Sequence, residues 1–258
     1  MDYEAPFVKP GDLWWSIASA WAWFTTGLIV FAWLPLMAVL FVVTIPFDRS
    51  RYAVGRWFRI AAMLVAKTNP FWRFRVSGIS IDDPRRPYVV VANHESFADI
   101  LLISHLPWEM KWVSKAEFFR IPVVGWEMRL AGDIPLRRGS PTSAGQAMGD
   151  ARDALRRKVS VMLFPEGTRS PTGELLPFKD GAFRLAIKAG VPILPLAVAG
   201  TGTALPKHDW RFGRAVAEVE VLPPVETAGL TLTDAADLRN RVRDMIEQAR
   251  TRLRERIG

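Results

Sequence analysis

Between Leu13 and Phe47 the chain carries not one charged residue. The run is longer than the ~20 apolar residues a membrane-crossing helix needs. Any fold must therefore give it to lipid or bury it whole. A core helix of this length ordinarily keeps a polar face, and this run has none. It has no basic leader and no small-residue cleavage site, so it is expected to be retained rather than removed as a signal peptide. Trp14, Trp15, Trp21, Trp23 and Trp33 crowd its first half, where indole rings suit a headgroup interface. Pro35 predicts a kink or a break. The run then reads either as one tilted span or as a helical hairpin dipping into one leaflet. Asp2, Glu4, Lys9 and Asp12 precede it, and Asp48, Arg49, Arg51, Arg56 and Arg59 follow. Positive charge on the following side places the rest of the chain in the cytoplasm, at an inner membrane. The apolar stretch Val54–Ala66, punctuated by Arg56, Arg59 and then Lys67, reads as an amphipathic helix touching anionic lipid.

Composition narrows the chemistry. The chain has no cysteine, which excludes disulfides, thiolate metal sites and an acyl group carried on a protein thiol. Lys and Arg number 34 against 26 Asp and Glu, a net charge of +8. That excess suits anionic partners. No nucleic-acid reading module is visible, so the expected anions are phospholipid headgroups and phosphorylated substrates.

Beyond the apolar run, strand-like and helix-like segments alternate. Strands are expected over 71–77, 88–92, 111–114, 134–136, 159–164, 193–199 and 215–222. Helices are expected over 97–106, 116–131 (interrupted at Pro122 and Gly125), 142–158, 178–189 and 233–257, the last with Thr233 as its N-cap. The alternation predicts an α/β fold, a largely parallel sheet flanked by helices. Residues 1–68 form the hydrophobic helical membrane anchor and 69–258 the α/β domain.

Two polar turns each end a short apolar strand. The first is Asn93-His94-Glu95-Ser96-Phe97-Ala98-Asp99. Ser96 and Asp99 have the Ser-x-x-Asp spacing of a helix cap, which by itself explains both residues. The alternative is chemical: Asp99 reaches back to His94, fixes its tautomer and stabilises its protonated form, leaving the other ring nitrogen as a base. On one continuous helix a spacing of five would hold the two side chains ~140° apart; a strand–turn–helix junction removes that obstacle. With no cysteine and no G-x-S-x-G elbow, the pair points to activation of a substrate hydroxyl. Nucleophilic Ser96 is the weaker reading. His105 and His208 lack comparable context and read as structural or surface residues.

The second turn is Phe164-Pro165-Glu166-Gly167-Thr168-Arg169-Ser170. Gly167 permits close backbone approach, and Arg169 offers a planar fork for phosphate. Glu166 either organises the loop or hydrogen-bonds substrate. Gly132–Arg138 adds Arg137 and Arg138, and Lys115 is a further cation near the expected site. No metal-ligand cluster is evident.

Together these segments resemble the glycerolipid acyltransferases, especially the bacterial 1-acyl-glycerol-3-phosphate acyltransferases. The matching segments are Asn93-His94-x-Ser96-x-x-Asp99, Gly132-x-Ile134-x-x-x-Arg138, Phe164–Ser170 and Val191–Leu196, in order, over about residues 70–225. The resemblance implies transfer of a fatty acyl group from acyl-CoA or acyl carrier protein to the 2-hydroxyl of 1-acyl-sn-glycerol-3-phosphate, forming phosphatidic acid. It makes His94 the general base and Asp99 its orienter. It places Arg138, Glu166, Gly167, Thr168 and Arg169 at the glycerol-phosphate site, and Pro192 and Pro195 on the acyl-donor side. No metal, cofactor or covalent acyl-enzyme is expected. Arg137 stands where many members carry an acidic residue. The same chemistry on another lysophospholipid, glycerol-3-phosphate or a lyso-aminolipid is the near alternative. A non-catalytic lipid-binding protein is the distant one.

Overall fold

The structure, a computed structural model, describes residues 13–170, 173–205 and 209–257. The anchor's leading charges and His208 lie outside the described residues. Two helices come first, α1 (Leu13–Thr44) and α2 (Tyr52–Thr68). The chain then alternates β1 (Trp72–Gly78), β2 (Val89–Ala92), α3 (Ala98–Ile103), β3 (Met110–Lys115), α4 (Val124–Ala131) and β4 (Ile134–Leu136). It continues with α5 (Pro141–Arg156), β5 (Ser160–Leu163), α6 (Gly181–Ala189), β6 (Ile193–Ala199), β7 (Ala215–Val221) and α7 (Ala235–Ile257).

The seven strands form one sheet in the order β1-β7-β6-β2-β5-β3-β4. Only the β6–β7 pairing is antiparallel. The central strands β2, β5 and β6 are buried throughout, as strands covered on both faces must be. Alternate side chains feed two cores. Val89, Val91, Val161 and Leu163 pack under α5, α6 and α7. Val90, Ala92, Met162 and Leu194 pack on the other face with Leu102 and Ile103 of α3.

α1 runs through Pro35 without a break, so the kink expected there does not end the helix. It is long and apolar enough to cross a membrane by length and composition, with a mean hydropathy of 2.4. One apolar side faces protein. Trp15 donates its indole N–H to the Phe212 carbonyl at 2.7 Å, Trp23 to Trp210 at 2.8 Å and Trp33 to Trp57 at 2.9 Å. Met37 is buried against α2 and α4. The other side exposes Trp14, Ile17, Trp21, Phe24, Leu28, Phe31, Val39 and Val42.

Two local expectations need correction. Arg59 does not touch lipid: it is buried, with its guanidinium on Asp133 and 3.6 Å from Glu109. Lys111, also buried, completes this neutral set by bonding Glu109 at 3.0 Å. A lone arginine on an apolar helix can lift its head group to the surface; here two carboxylates from the sheet hold it inside. The cap of the last helical segment is Thr231 rather than Thr233, in a reciprocal arrangement with Asp234. The helix expected over 116–131 with an interruption at Pro122 and Gly125 is found as a 3-10 turn, Ala116–Arg120, followed by α4. Between them Val123 takes φ 65°, and the Val124 amide donates to the Pro122 carbonyl at 2.8 Å. That is a γ-turn, strained for a β-branched residue. Gly125 permits it, since a side chain there would meet the Phe119 backbone at 2.4 Å.

Candidate active site

In parallel strands every C-terminal end lies along one edge, where open α/β sheets place their ligand crevice. His94 follows β2, Glu166 follows β5, Lys115 ends β3, and Arg138 follows β4. The structure therefore brings the expected residues to one edge from four neighbouring strands.

Asn93 prepares the turn. Its side-chain amide donates to the Val198 carbonyl and accepts from the Val198 amide, both at 2.8 Å. A side chain thus replaces one rung of the β2–β6 ladder, freeing the backbone to turn. Asp99, in the first turn of α3, is fully buried. Its Oδ2 lies 2.7 Å from His94 Nδ1 and accepts from the Glu95 amide at 2.8 Å and the Ser96 amide at 3.0 Å. Its Oδ1 accepts from the Thr201 hydroxyl. Ser96 Oγ accepts from the Ala98 amide at 3.3 Å. The capping role and the orienting role coexist on one carboxylate. The imidazole is sandwiched by Phe164, with ring centroids 3.9 Å apart and planes 14° from parallel. Among the described residues nothing hydrogen-bonds Nε2, and the side chain keeps some exposure at 13%.

Glu166 joins the two turns. One carboxylate oxygen accepts from the His94 amide at 2.7 Å, the other from the Leu176 amide at 2.9 Å. Burial raises its pKa, opposed by the two amides. Both oxygens are thereby committed to backbone. Gly167 has φ 72°, and a side chain there would meet Lys179 Nζ at 2.7 Å. Thr168, Arg169 and Arg138 are exposed, and neither arginine has an ion pair among the described residues. Lys115 is also exposed, 3.9 Å from Glu117. Pro192 and Pro195 are buried at and within β6. His105 donates its Nδ1–H to the Leu101 carbonyl at 2.9 Å, one turn back along the chain. No cluster of three or more His, Asp or Glu able to hold a metal occurs among the described residues.

Sequence reasoning missed several contributors. Thr201 lies 102 positions from Asp99; only its place after the β6 run, beside Gly200 at φ 87°, marks it. Phe164 read as a strand end. Lys179 carried no motif. Glu95, to which no role was given, is buried and pairs with Arg254 of α7 at 3.1 Å. Burial and the adjacent Asp99 charge push its pKa up to about 7, against the pull of Arg254 and Arg250.

Comparison with known proteins gives one answer. A family model described as Acyltransferase matches residues 73–199. The chain is 36% identical to a 1-acyl-sn-glycerol-3-phosphate acyltransferase of Chlamydomonas reinhardtii over 223 residues, 81% of this chain and 67% of that one. It is 40% identical to the human 1-acyl-sn-glycerol-3-phosphate acyltransferase alpha over 173 residues, 66% of this chain and 61% of the relative's length. The match thus spans about two thirds of these relatives. The crystal structure of the 1-acyl-sn-glycerophosphate (LPA) acyltransferase PlsC from Thermotoga maritima superposes with a TM-score of 0.72 at 27% identity, covering 93% of this chain and 98% of that one.

Proposed function

This chain belongs to the acyltransferase family, and from that membership we propose that it moves a fatty acyl group from a thioester donor to the 2-hydroxyl of 1-acyl-sn-glycerol-3-phosphate, forming phosphatidic acid. The observation that carries the reading is the His94–Asp99 pair at 2.7 Å, with the outer ring nitrogen left free at the mouth of the sheet edge. Asp99 holds the Nδ1–H tautomer, so Nε2 carries the lone pair. Nε2 takes the proton of the acceptor hydroxyl as its oxygen attacks the thioester carbonyl. The tetrahedral intermediate collapses, the C–S bond breaks, and the imidazolium returns its proton to the departing thiolate. The products are an ester and a free thiol. No acyl-enzyme forms, and no metal or cofactor is needed for this route. Arg169, Arg138 and Lys115, all exposed and all at the C-terminal ends of neighbouring strands, are the cations for the acceptor phosphate, with the Gly167 backbone and the Thr168 hydroxyl as further donors. Glu166 is a positioning residue, since its carboxylate locks the His94 turn to the second loop.

The site works at a membrane, which we place as the inner membrane with the catalytic domain on its cytoplasmic side. α1 meets protein from Trp15 to Phe41, about 39 Å at 1.5 Å per residue. A helix held along that length lies against the domain with its outer face in one leaflet, rather than standing across the bilayer. The relatives' names support lysophosphatidic acid as acceptor.

The test is transfer from labelled acyl-CoA to lysophosphatidic acid in detergent. His94→Ala should lower kcat by about 10²–10⁴ while the melting temperature holds. Activity within threefold of the unmutated protein would remove the general base. Glycerol-3-phosphate or a neutral lysolipid accepted in preference would change the acceptor and keep the chemistry.

A further inference from the structure

Three arginines of α7 hold the loop that carries Arg169. Arg243, Arg250 and Arg254 stand seven and then four positions apart, which places them along one side of the helix. Arg243 donates to the Leu175 carbonyl at 3.3 Å. Arg250 and Arg254 both donate to the Gly173 carbonyl, at 2.6 and 2.7 Å. The base of the loop is closed by the Lys179 amide, which donates to the Pro165 carbonyl at 2.9 Å. Its near arm reaches the turn after β2, where the Ser170 amide donates to the His94 carbonyl at 3.0 Å. Arg254 makes one contact more. Its Nη2 lies 3.1 Å from Glu95 Oε1, and Glu95 directly follows His94, with its own amide bonded to Asp99. One guanidinium thus ties the turn that bears the base to the loop that bears a phosphate cation. Arg243 and Arg250 also pair with Glu247 of their own helix, at 3.1 and 3.5 Å; Arg254 directs its charge to Glu95.

We infer that Arg254 is a positioning residue, which sets the span between the His94 ring and Arg169 and so favours an acceptor whose hydroxyl and phosphate lie that span apart. The inference rests on the acyl-transfer reading above and adds a residue to its acceptor site. The two groups start from different strands, His94 after β2 and Arg169 after β5. Pairing in the sheet fixes where those strands end but not where a loop's tip lies, and Arg169 stands six residues past Leu163. In the acceptor the hydroxyl and the phosphate sit on adjacent carbons, so their separation is short and set by covalent bonds. A loop that drifts by about 1 Å serves one group at the expense of the other. Asp99 and Glu166 already hold the His94 turn, so loss of Arg254 slackens the phosphate side and leaves the base in place. α7 lies outside residues 73–199, to which the family model matches. The Arg254 side chain is 41% exposed, so it can be replaced without opening the core.

The experiment compares Arg254→Met with the unmutated full chain in detergent, using palmitoyl-CoA and lysophosphatidic acid, with the melting temperature as the control for folding. The expected result is a rise of about fivefold in KM for lysophosphatidic acid, with kcat and KM for palmitoyl-CoA within about twofold. Glu95→Gln keeps an acceptor for Arg254 and should leave both KM values within about twofold. Glu95→Leu removes it and should match Arg254→Met, and the two substitutions together should be no worse than either alone, as for two ends of one contact. Charge alone makes the opposite forecast: losing a carboxylate beside an anion site would lower KM for lysophosphatidic acid. A fall in Glu95→Leu would therefore overturn the positioning role. So would equal rises in both KM values, a loss confined to kcat, or additive effects of the two substitutions. Equilibrium binding of lysophosphatidic acid without donor separates the two readings. If the unmutated chain transfers no acyl group, the reaction falls; binding that weakens about fivefold in Arg254→Met still upholds the hold on Arg169. Binding unchanged by that substitution, or no binding by the unmutated chain, overturns the inference as well.

Discussion

Asp99 lends itself to a test in which stability and catalysis part company. The carboxylate receives four donors: the His94 ring, the Glu95 and Ser96 amides, and the Thr201 hydroxyl. Asp99→Ala leaves two buried amides without an acceptor. Each costs about 1–3 kcal/mol, so the variant should lose roughly 2–6 kcal/mol and much of its turn geometry. Asp99→Asn differs. Its carbonyl can occupy the Oδ2 position and accept the same three N–H groups, while its NH₂ faces Thr201, whose hydroxyl can rotate to accept. The tautomer of His94 survives as well. What disappears is the negative charge that stabilises the imidazolium in the transition state. A charge-assisted hydrogen bond exceeds a neutral one by about twofold, and the larger share of the loss falls on the protonated ring. We expect kcat to drop by 10²–10³, about 2.7–4 kcal/mol at 1.36 kcal/mol per decade, with a melting temperature near that of the unmutated chain. Steady-state acyl transfer and thermal unfolding in the same detergent measure both. Asp99→Asn retaining kcat within threefold would show that the charge is not used. Asp99→Asn melting as low as Asp99→Ala would show that the hydrogen-bond count above is wrong.

Two further outcomes follow from buried charges. Arg59→Met strips Glu109 and Asp133 of their shared cation, so thermal or denaturant unfolding should show a loss of about 3–5 kcal/mol; a loss under 1 kcal/mol would mean that Lys111 alone compensates both carboxylates. Glu95 has its pKa raised from 4.5 to about 7, so the folded state holds the proton more tightly than the unfolded chain. Its stabilising contribution is complete below pH 4.5 and is lost as pH rises through about 7, an amount near 3 kcal/mol by linkage. The stability of the unmutated chain relative to Glu95→Gln should therefore fall between pH 4.5 and 7.5, and a difference that stays flat over that range would refute the raised pKa.

The parts of this molecule that could be read from sequence are those encoded by neighbours along the chain. Short apolar runs ending in polar turns specify buried parallel strands with equipped C-terminal ends, and a parallel sheet then aligns those ends whatever the loops do. That is why His94, Glu166, Lys115 and Arg138 share an edge that the pattern foretold. The groups that complete the site come from far away: Thr201 stands 102 positions from Asp99 and Arg254 stands 159 from Glu95. Neither has a periodicity or a spacing to announce it, because packing, not local propensity, brings them together. Arg59 shows the same limit in reverse. On its own helix it has the signature of a lipid-facing cation, and only the arrival of Glu109 and Asp133, each just before the N-terminal end of β3 or β4, makes the interior the lower-energy place for it. α1 is the extreme case. Its two sides are almost equally apolar, so no hydrophobic pattern separates the one that meets protein from the one left for lipid. The separation is made by hydrogen bonds: Trp15, Trp23 and Trp33 each find a carbonyl in the folded domain. An indole N–H deprived of such a partner in an apolar setting is costly, so these three contacts fix the rotation of the helix and, with it, which face the bilayer receives.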